Sequence, residues 1–313
     1  MFINWIPSEM SSKTFRLGTR DSPLALWQAQ RVAKLLEAKQ IKTETVPTKS
    51  AGDLDLIQPI YAMGLQGVFT KALDTALLNH QIDLAVHSLK DVPTQLPEGL
   101  LMAAVLERGS ATDVLLQIQK KPLPDVATIA TGSLRRKAQW LHRFPKHRVV
   151  NLRGNVQTRM DKLFSNPWEG AIFAKAGLER ANLLGTHFHE LDWMIPAPAQ
   201  GAIGVICRKE DVLLIEKLNT INHPNTQICV DIERDFLKIL EGGCSAPIGA
   251  HAVLQDRKIL VKAGVFSPDG EVAVVIEKEA QTIDCENLAS RTAQEVLSKG
   301  GDRIIESIRT QQA

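Results

Sequence analysis

The chain has 313 residues, with 37 Lys and Arg against 35 Asp and Glu, 44% hydrophobic residues and 5% aromatic ones. That composition excludes disorder and collagen-like structure and fits two or three globular domains, and a formal net charge of +2 gives no global case for nucleic acid. No run of about 18 apolar residues is present, which excludes a membrane-spanning helix, and the opening MFINWIPSEMSSK lacks the basic-then-apolar layout of a secretory signal, so a cytoplasmic location is expected.

In chain order, residues 15–40 read as a strand, FRLGT, a polar turn Arg20-Asp21-Ser22, and a helix with Ser22 as N-cap and Pro23 in its first turn. Leu24, Trp27, Val32, Leu35 and Leu36 are expected to form the buried face of that helix. VFTKALDTALLN at 68–79 predicts a helix and IDLAVH at 82–87 a strand, followed at once by the turn HSLKDVP. The middle of the chain repeats this grammar: ATIAT into SLRRKAQWLHRF, VVNLRG into NVQTRMDKLF, and AIFAKAG into LERANLL. AIGVIC at 202–207 is one more strand, whose domain the pattern does not fix. After about residue 222 the order changes to a helix, CVDIERDFLKIL, a loop, EGGCSAP, three strands (IGAHAV, KILVKAGVF, EVAVVIEK) and a C-terminal helix from about 284. Strand-helix alternation implies sheets covered by helices, with binding turns at the strands' carboxyl ends, and the tail reads as a small α+β domain.

Charge placement carries the chemistry. Between Val126 and Met160 stand Arg135, Arg136, Lys137, Arg143, Lys146, Arg148, Arg153 and Arg159, with no Asp or Glu among them. Arg135 and Arg136 follow the N-cap candidate Ser133, and Arg153 precedes the helix that starts near Asn155. Cations at helix N-termini are unfavourable unless an anion completes the site, so carboxylate or phosphate binding is expected; arginine's planar fork suits bidentate carboxylates. A solvated basic face or a nucleic-acid patch is the alternative, although only Trp140 and Phe144 interleave the cations. In HSLKDVP, extended geometry would send Lys90 and Asp91 to opposite sides. Asp91 beside arginines would stay ionised and could guide a cation or move a proton; the plainer reading is a surface Lys-Asp turn.

Four cysteines, Cys207, Cys229, Cys244 and Cys285, form no CxxC pair, which argues against a disulfide framework and structural zinc. Cys207 and Cys229 lie among apolar residues and read as buried. Cys244, in the glycine-rich loop EGGCSAP, reads equally as an accessible thiol or a buried one. The histidines show no metal or triad spacing, and His80, His142, His147, His187, His189 and His223 read as surface or cap residues. The sequence contains no P-loop, GxGxxG or GxSxG.

The ordered motifs LGTRDSPLALWQA, AVHSLKDVPT, GSLRRKAQ, NLRGNVQTR, AKAGLER, PAPAQGAIG and EGGCSAPIGA resemble those of the porphobilinogen deaminases, also called hydroxymethylbilane synthases. The likeness runs from about residue 15 to the early 250s. It implies a transferase that joins porphobilinogen units head to tail, releasing ammonia each time, into the linear tetrapyrrole hydroxymethylbilane. It also implies a dipyrromethane cofactor held by a thioether to Cys244, with Asp91 as the catalytic carboxylate. Cofactor contacts would fall on Lys90, Ser133, Arg135, Arg136 and Asp53. Substrate contacts would fall on Arg20, Ser22, Gln28, Ser88, Arg153, Arg159, Arg180 and Gln200.

The implied fold is α/β and α+β in three domains, two periplasmic-binding-protein-like α/β lobes around a cleft plus a small C-terminal α+β domain. The expected boundaries are 13–106 for domain 1, 107–198 for domain 2, 199–221 for a return segment of domain 1, and 222–313 for domain 3. No metal, membrane or nucleic-acid partner is implied, and the chain is expected to be a monomer. Two departures stand out: Ala62 and Gln66 replace lysines usual in the family's lid, and Gly132 replaces a common serine, at the expected cost of one supporting hydroxyl. A two-lobed binding protein for a small anion would use the same arginines without Cys244, and a polyanion binder would show a steep salt dependence.

Overall fold

The computed structural model describes residues 13–49, 70–119, 121–240 and 246–312. In chain order the first part holds β1 (Phe15–Arg20), α1 (Pro23–Glu37), β2 (Thr43–Thr48), α2 (Lys71–Leu78), β3 (Leu84–Ser88) and β4 (Leu100–Val105). The middle holds β5 (Asp113–Leu116), β6 (Thr128–Ala130), α3 (Leu134–Arg143), β7 (Arg148–Val150), α4 (Val156–Ser165), β8 (Gly170–Ala174), α5 (Lys175–Arg180) and β9 (Phe188–Glu190). Then follow β10 (Ile203–Arg208), α6 (Val212–Asn219), α7 (Pro224–Ile239), β11 (Ile248–Gln255), β12 (Lys258–Phe266), β13 (Ala273–Gln281), α8 (Leu288–Val296) and α9 (Asp302–Gln312).

The strands form three sheets, β2-β1-β3-β10-β4, β7-β6-β8-β5-β9 and β11-β12-β13. In the first, β1 runs parallel to β2 and β3, while β10 is antiparallel to both β3 and β4. The second repeats the plan, with β6 parallel to β7 and β8, and β5 antiparallel to β8 and β9. In each sheet the antiparallel strand is the first one met after the chain crosses from the other sheet. The two crossings touch at Gly109 N–H, which donates to the Gly201 carbonyl oxygen at 3.1 Å. Gly201 has φ +87°, and a Cβ there would lie 2.6 Å from the Ser110 carbonyl oxygen, so only glycine fits this approach.

Local grammar explains the helices that carry the site. Ser22 caps α1 by accepting from Ala25 N–H, with Pro23 at the first helical position, where its missing N–H costs nothing. The buried face of α1 is Ala25, Gln28, Ala29, Val32 and Leu36, at helical spacing. Trp27, expected in that face, is 38% exposed, and the Arg180 guanidinium of α5 sits 5.5 Å over its ring. Ser133 and Asn155 cap α3 and α4 through Arg136 N–H and Thr158 N–H. His223 caps α7 by accepting from Thr226 N–H.

Each of the first two sheets is packed on both faces. Phe15, Leu17, Val32, Leu36 and Val205 fill one side of the first sheet, and Leu73, Leu77, Leu89 and Ile206 the other. The third sheet packs one face on α7, α8 and α9, around Phe236, Val261 and Val296. The C-terminal stretch is two helices rather than the single one expected, because the chain turns at Gly300, φ +99°, a conformation that side-chain-bearing residues rarely adopt. His147 also departs from expectation: it is buried and accepts from Trp140 Nε1–H at 3.3 Å.

One carboxylate ties the sheets together. Glu233 of α7 is 0% exposed. Arg108, in the first crossing, donates to it through Nη1 at 2.6 Å and Nη2 at 3.0 Å. Ala199 N–H of the second crossing and Ala252 N–H of β11 donate at 2.6 and 2.7 Å. A buried charge is tolerated when it is paired and its lone pairs are filled, as here.

Candidate active site

The turn after β3 is not extended. Residues Leu89–Asp91 form one turn of 3-10 helix, so Lys90 and Asp91 are not on opposite sides of a strand. Leu89 N–H donates to the Ala202 carbonyl oxygen at 3.0 Å, and Val92 N–H closes the turn on Leu89 at 3.2 Å. Asp91 lines a small cavity of about 60 Å³ with Arg20, Ser22, Gln28, His87 and Ser88. Gln28, 1% exposed, donates to Ser88 Oγ at 2.7 Å, which fixes both side chains at the cavity edge. His87 is buried against the same cavity; burial, with the Arg20 charge, pulls its imidazole down to about 4, so it is neutral at physiological pH.

Opposite stands the arginine cluster of the second lobe, and here the structure corrects the sequence reading. Arg135 and Arg136 have a counter-charge after all, supplied by Asp113 at the start of β5. Arg135 Nη1 lies 2.8 Å from Asp113 Oδ2, and Arg136 donates to Oδ1 through Nε at 3.1 Å and Nη2 at 2.8 Å. Arg135 also donates to the Ile195 carbonyl oxygen at 2.6 Å and Arg136 to that of Ile172 at 3.0 Å. Burial alone would push the Asp113 carboxyl up, but the two guanidiniums outweigh it and hold the group well below the usual carboxylate range. Gln200 extends the network by donating to Asp113 Oδ1 at 2.9 Å and to the Ala111 carbonyl oxygen at 2.6 Å. Its Oε1 accepts from Lys90 Nζ at 3.4 Å. A continuous polar chain therefore runs from the Asp91 turn through Lys90 and Gln200 to Asp113 and the paired arginines.

The field in this cleft is positive. Burial pulls the Lys90 ammonium down to about 8, Asp91 partly offsets that, and Arg136 and Arg135 add to it. Arg159 is pulled down to about 10 by burial and by the charges of Arg136 and Arg153, with Asp91 opposing. Its Nε donates to the Gly154 carbonyl oxygen at 2.7 Å. Arg153 is buried. Arg180, its affinity for the proton lowered by burial, donates to the Gly201 carbonyl oxygen at 2.5 Å. Ser133 spends its hydroxyl oxygen on the helix cap, accepting from Arg136 N–H at 3.4 Å. Cations depressed by burial and by one another are stabilised when carboxylates join them. The donor set thus fits a ligand carrying several carboxylates.

Gly132 does more than omit a hydroxyl. A Cβ there would come within 2.4 Å of the Leu152 carbonyl oxygen, so the glycine lets the turns after β6 and β7 close on one another. Asp53, Ala62, Gln66 and Cys244 lie outside the described residues. Cys207 and Cys229 are buried, as their apolar settings predicted, and Cys285 is half-buried. Burial pushes the thiols of Cys207 and Cys229 up to about 12 and 11. Among the described residues no cluster of three or more His, Cys, Asp or Glu is placed to hold a metal ion, and no helix is long and apolar enough to cross a membrane.

With this geometry in hand, comparison with known proteins is decisive. Residues 15–216 match the family described as porphobilinogen deaminase, dipyromethane cofactor binding domain, and residues 227–298 match its C-terminal domain. The chain belongs to the porphobilinogen deaminase family. The porphobilinogen deaminase of Campylobacter hominis is 39% identical over 298 residues, covering 93% of this chain and 96% of that one. That of Legionella pneumophila subsp. pneumophila is 37% identical over 308 residues, covering 96% and 99%. Among solved structures, an ancestral cationic amino acid solute-binding protein covers 67% of this chain and 89% of its own at 17% identity, with a TM-score of 0.43. The family's fold of two α/β lobes and a small C-terminal sheet domain is the architecture described above.

Proposed function

We propose that the cleft between the two α/β lobes is where this member of the family carries out the family's reaction, with Asp91 at its centre. The reaction is a transferase chemistry of tetrapyrrole biosynthesis: porphobilinogen units are condensed head to tail, with loss of ammonia, to hydroxymethylbilane. The observation that carries the assignment of residues is the polar chain from the Asp91 turn to Asp113 and its two arginines, which sets one carboxylate against a cluster of cations.

The family's cofactor is dipyrromethane, and it supplies, when bound, a free pyrrole position to which the first substrate unit is joined. We assign its attachment to Cys244, and its carboxylates to Lys90, Arg135, Arg136 and Ser133, with Asp53 as a further contact. Substrate acetate and propionate groups are assigned to Arg20, Ser22, Ser88, Arg153, Arg159 and Arg180, with Gln28 and Gln200 holding neighbouring side chains in place. Arg135 and Arg136 share Asp113, so each keeps N–H donors for a second anion while its position is fixed. Asp91 accepts a hydrogen bond from the pyrrole N–H of porphobilinogen and balances the positive charge that grows on that nitrogen as the aminomethyl group departs as ammonia. A carboxylate in this place also takes up and returns a proton.

The proposed domain boundaries are 13–106, 107–198, 199–221 and 222–313, and the place of β10 in the first sheet supports reading 199–221 as a return segment. The reading includes a monomeric protein in the cytoplasm, acting on a small-molecule substrate.

Two measurements test it. Intact mass of the purified chain should exceed the sequence mass by two linked pyrrole units, and the excess should vanish in Cys244→Ser. An unmodified chain that also stays unmodified after incubation with porphobilinogen would overturn the cofactor assignment. Asp91→Asn should keep the fold and lose turnover by roughly 100-fold or more; wild-type turnover in that variant would remove Asp91 from the mechanism.

A further inference from the structure

The turn that bears Asp91 has few bonds of its own. A single 3-10 turn closes one backbone bond, Val92 N–H to Leu89, and such turns are geometrically poor. Besides the bond from Leu89 N–H to the Ala202 carbonyl oxygen, a side chain of α7, in the C-terminal part of the chain, holds it from outside. Arg234 Nη1 donates to the Val92 carbonyl oxygen at 3.0 Å and reaches that of Leu89 at 3.5 Å. Its Nη2 donates to the Pro93 carbonyl oxygen at 2.8 Å. These carbonyls bracket Asp91 on both sides. A guanidinium presents its donors in one rigid plane, so three acceptors gathered by one fork lose most of their freedom to move relative to one another.

The neighbour of Arg234 on α7 is Glu233, which is anchored to both lobe crossings and to β11. The helix is therefore fixed on the scaffold at the residue before the one that grips the turn. It ends at Ile239, and Cys244 follows five residues later in the sequence. One helix thus reaches the Asp91 turn from its middle and, along the sequence, leads toward Cys244 from its end.

We propose that Arg234 is a positioning residue for the condensation, holding the Asp91 turn against α7 so that the helix that precedes Cys244 in the sequence also sets where the reacting carboxylate stands. The inference rests on Asp91 being that carboxylate. Arg234 acts through backbone carbonyls and needs no contact with substrate. A small shift of a reacting group costs rate far more than affinity, on the order of 100-fold for about 1 Å.

The test compares Arg234→Gln, Arg234→Lys and Asp91→Asn with wild type. Each is measured for cofactor loading by intact mass, for thermal midpoint, and for kcat and KM per loaded molecule. Arg234→Gln should load the cofactor and lose about 10–100-fold in kcat, with KM changed by less than about threefold. Arg234→Lys should recover part of that loss, since an ammonium donates to these carbonyls without the fork. A purely structural role would lower the thermal midpoint and the loaded fraction but leave kcat per loaded molecule at the wild-type value, and that result overturns the inference. If Arg234→Gln does not fold, Arg234→Lys decides by the same criterion. Wild-type turnover in Asp91→Asn would sink the underlying reading, whereas an inactive Asp91→Asn beside an unimpaired Arg234→Gln would sink this inference alone.

Discussion

The two α/β lobes share a five-strand plan, and each offers the cleft a capped helix with arginine at its mouth, yet they treat that arginine differently. In the first lobe Arg20 precedes the cap Ser22 and borders a cavity with Asp91. In the second, Arg135 and Arg136 follow the cap Ser133 and are buried on Asp113. A cation that lines a cavity borders whatever enters it. A cation locked to an internal carboxylate is first a structural member and only then a ligand-binding one, so the second lobe fixes the geometry of its arginines with an acid of its own.

The largest effect that would break this contrast is at Asp113. Replacing it with Ala leaves two buried guanidiniums without their partner, and breaking a buried ion pair from one side costs about 3–5 kcal/mol; denaturant unfolding should show a loss of that size. A variant as stable as wild type would mean that the arginines are not held by Asp113. Arg20→Leu should do the opposite, changing stability by roughly 0.5 kcal/mol while raising KM for porphobilinogen about tenfold, the worth of a charge-assisted bond near 1.4 kcal/mol. An unchanged KM would take Arg20 out of substrate binding.

Lys90, between the lobes, sharpens the comparison by pH. Its ammonium, lowered by burial to about 8, is charged below that value and neutral above it. In cofactor-free protein its side-chain resonance should titrate near pH 8, and loading with dipyrromethane should move the midpoint upward because carboxylates favour the charged form. A midpoint indifferent to loading would contradict the contact. The sign for stability follows from linkage: the unfolded lysine keeps its proton to 10.5. The unfolded chain therefore binds more protons between pH 8 and 10.5, and the Lys90 contribution to stability improves as pH rises through that window. Smallest of all, Ser22→Ala and Ser133→Ala should each cost about 0.5–1 kcal/mol through loss of a helix cap. Equal losses would say that the lobes differ only in what their arginines meet.

Local structure was legible in the sequence wherever a residue and its effect lie within one turn of each other. The caps Ser22 and Ser133, the helix start near Asn155 and the strand-to-helix steps at β6, β7 and β8 are of this kind. The motifs of the cleft were legible too, and the resemblance they carried brought Asp91 and the arginines together as candidates. What the sequence hid was every pairing made through the sheet or across the crossings. Asp113 lies 23 residues from Arg136, and Arg108 lies 125 from Glu233, separations at which neither spacing nor composition marks a partner. Counting charges along a segment therefore missed a counter-charge, because β5 delivers its carboxylate from outside the segment. Trp27 misled for a related reason: its helical spacing suits a core, but Arg180 of the other lobe gives its ring a place at the surface.

Two buried thiols bear on how a covalent group finds its one place on this chain. The chain has four cysteines. Cys207 and Cys229 are sealed in the first and third cores, with thiols raised by burial to about 12 and 11. They stay protonated at any physiological pH, and a protonated thiol is a poor nucleophile. An electrophile built from the substrate thus meets two silent cysteines. On the proposed attachment at Cys244, Cys207 and Cys229 need no escort, because the packing that stabilises the cores already withholds their sulfur from the chemistry.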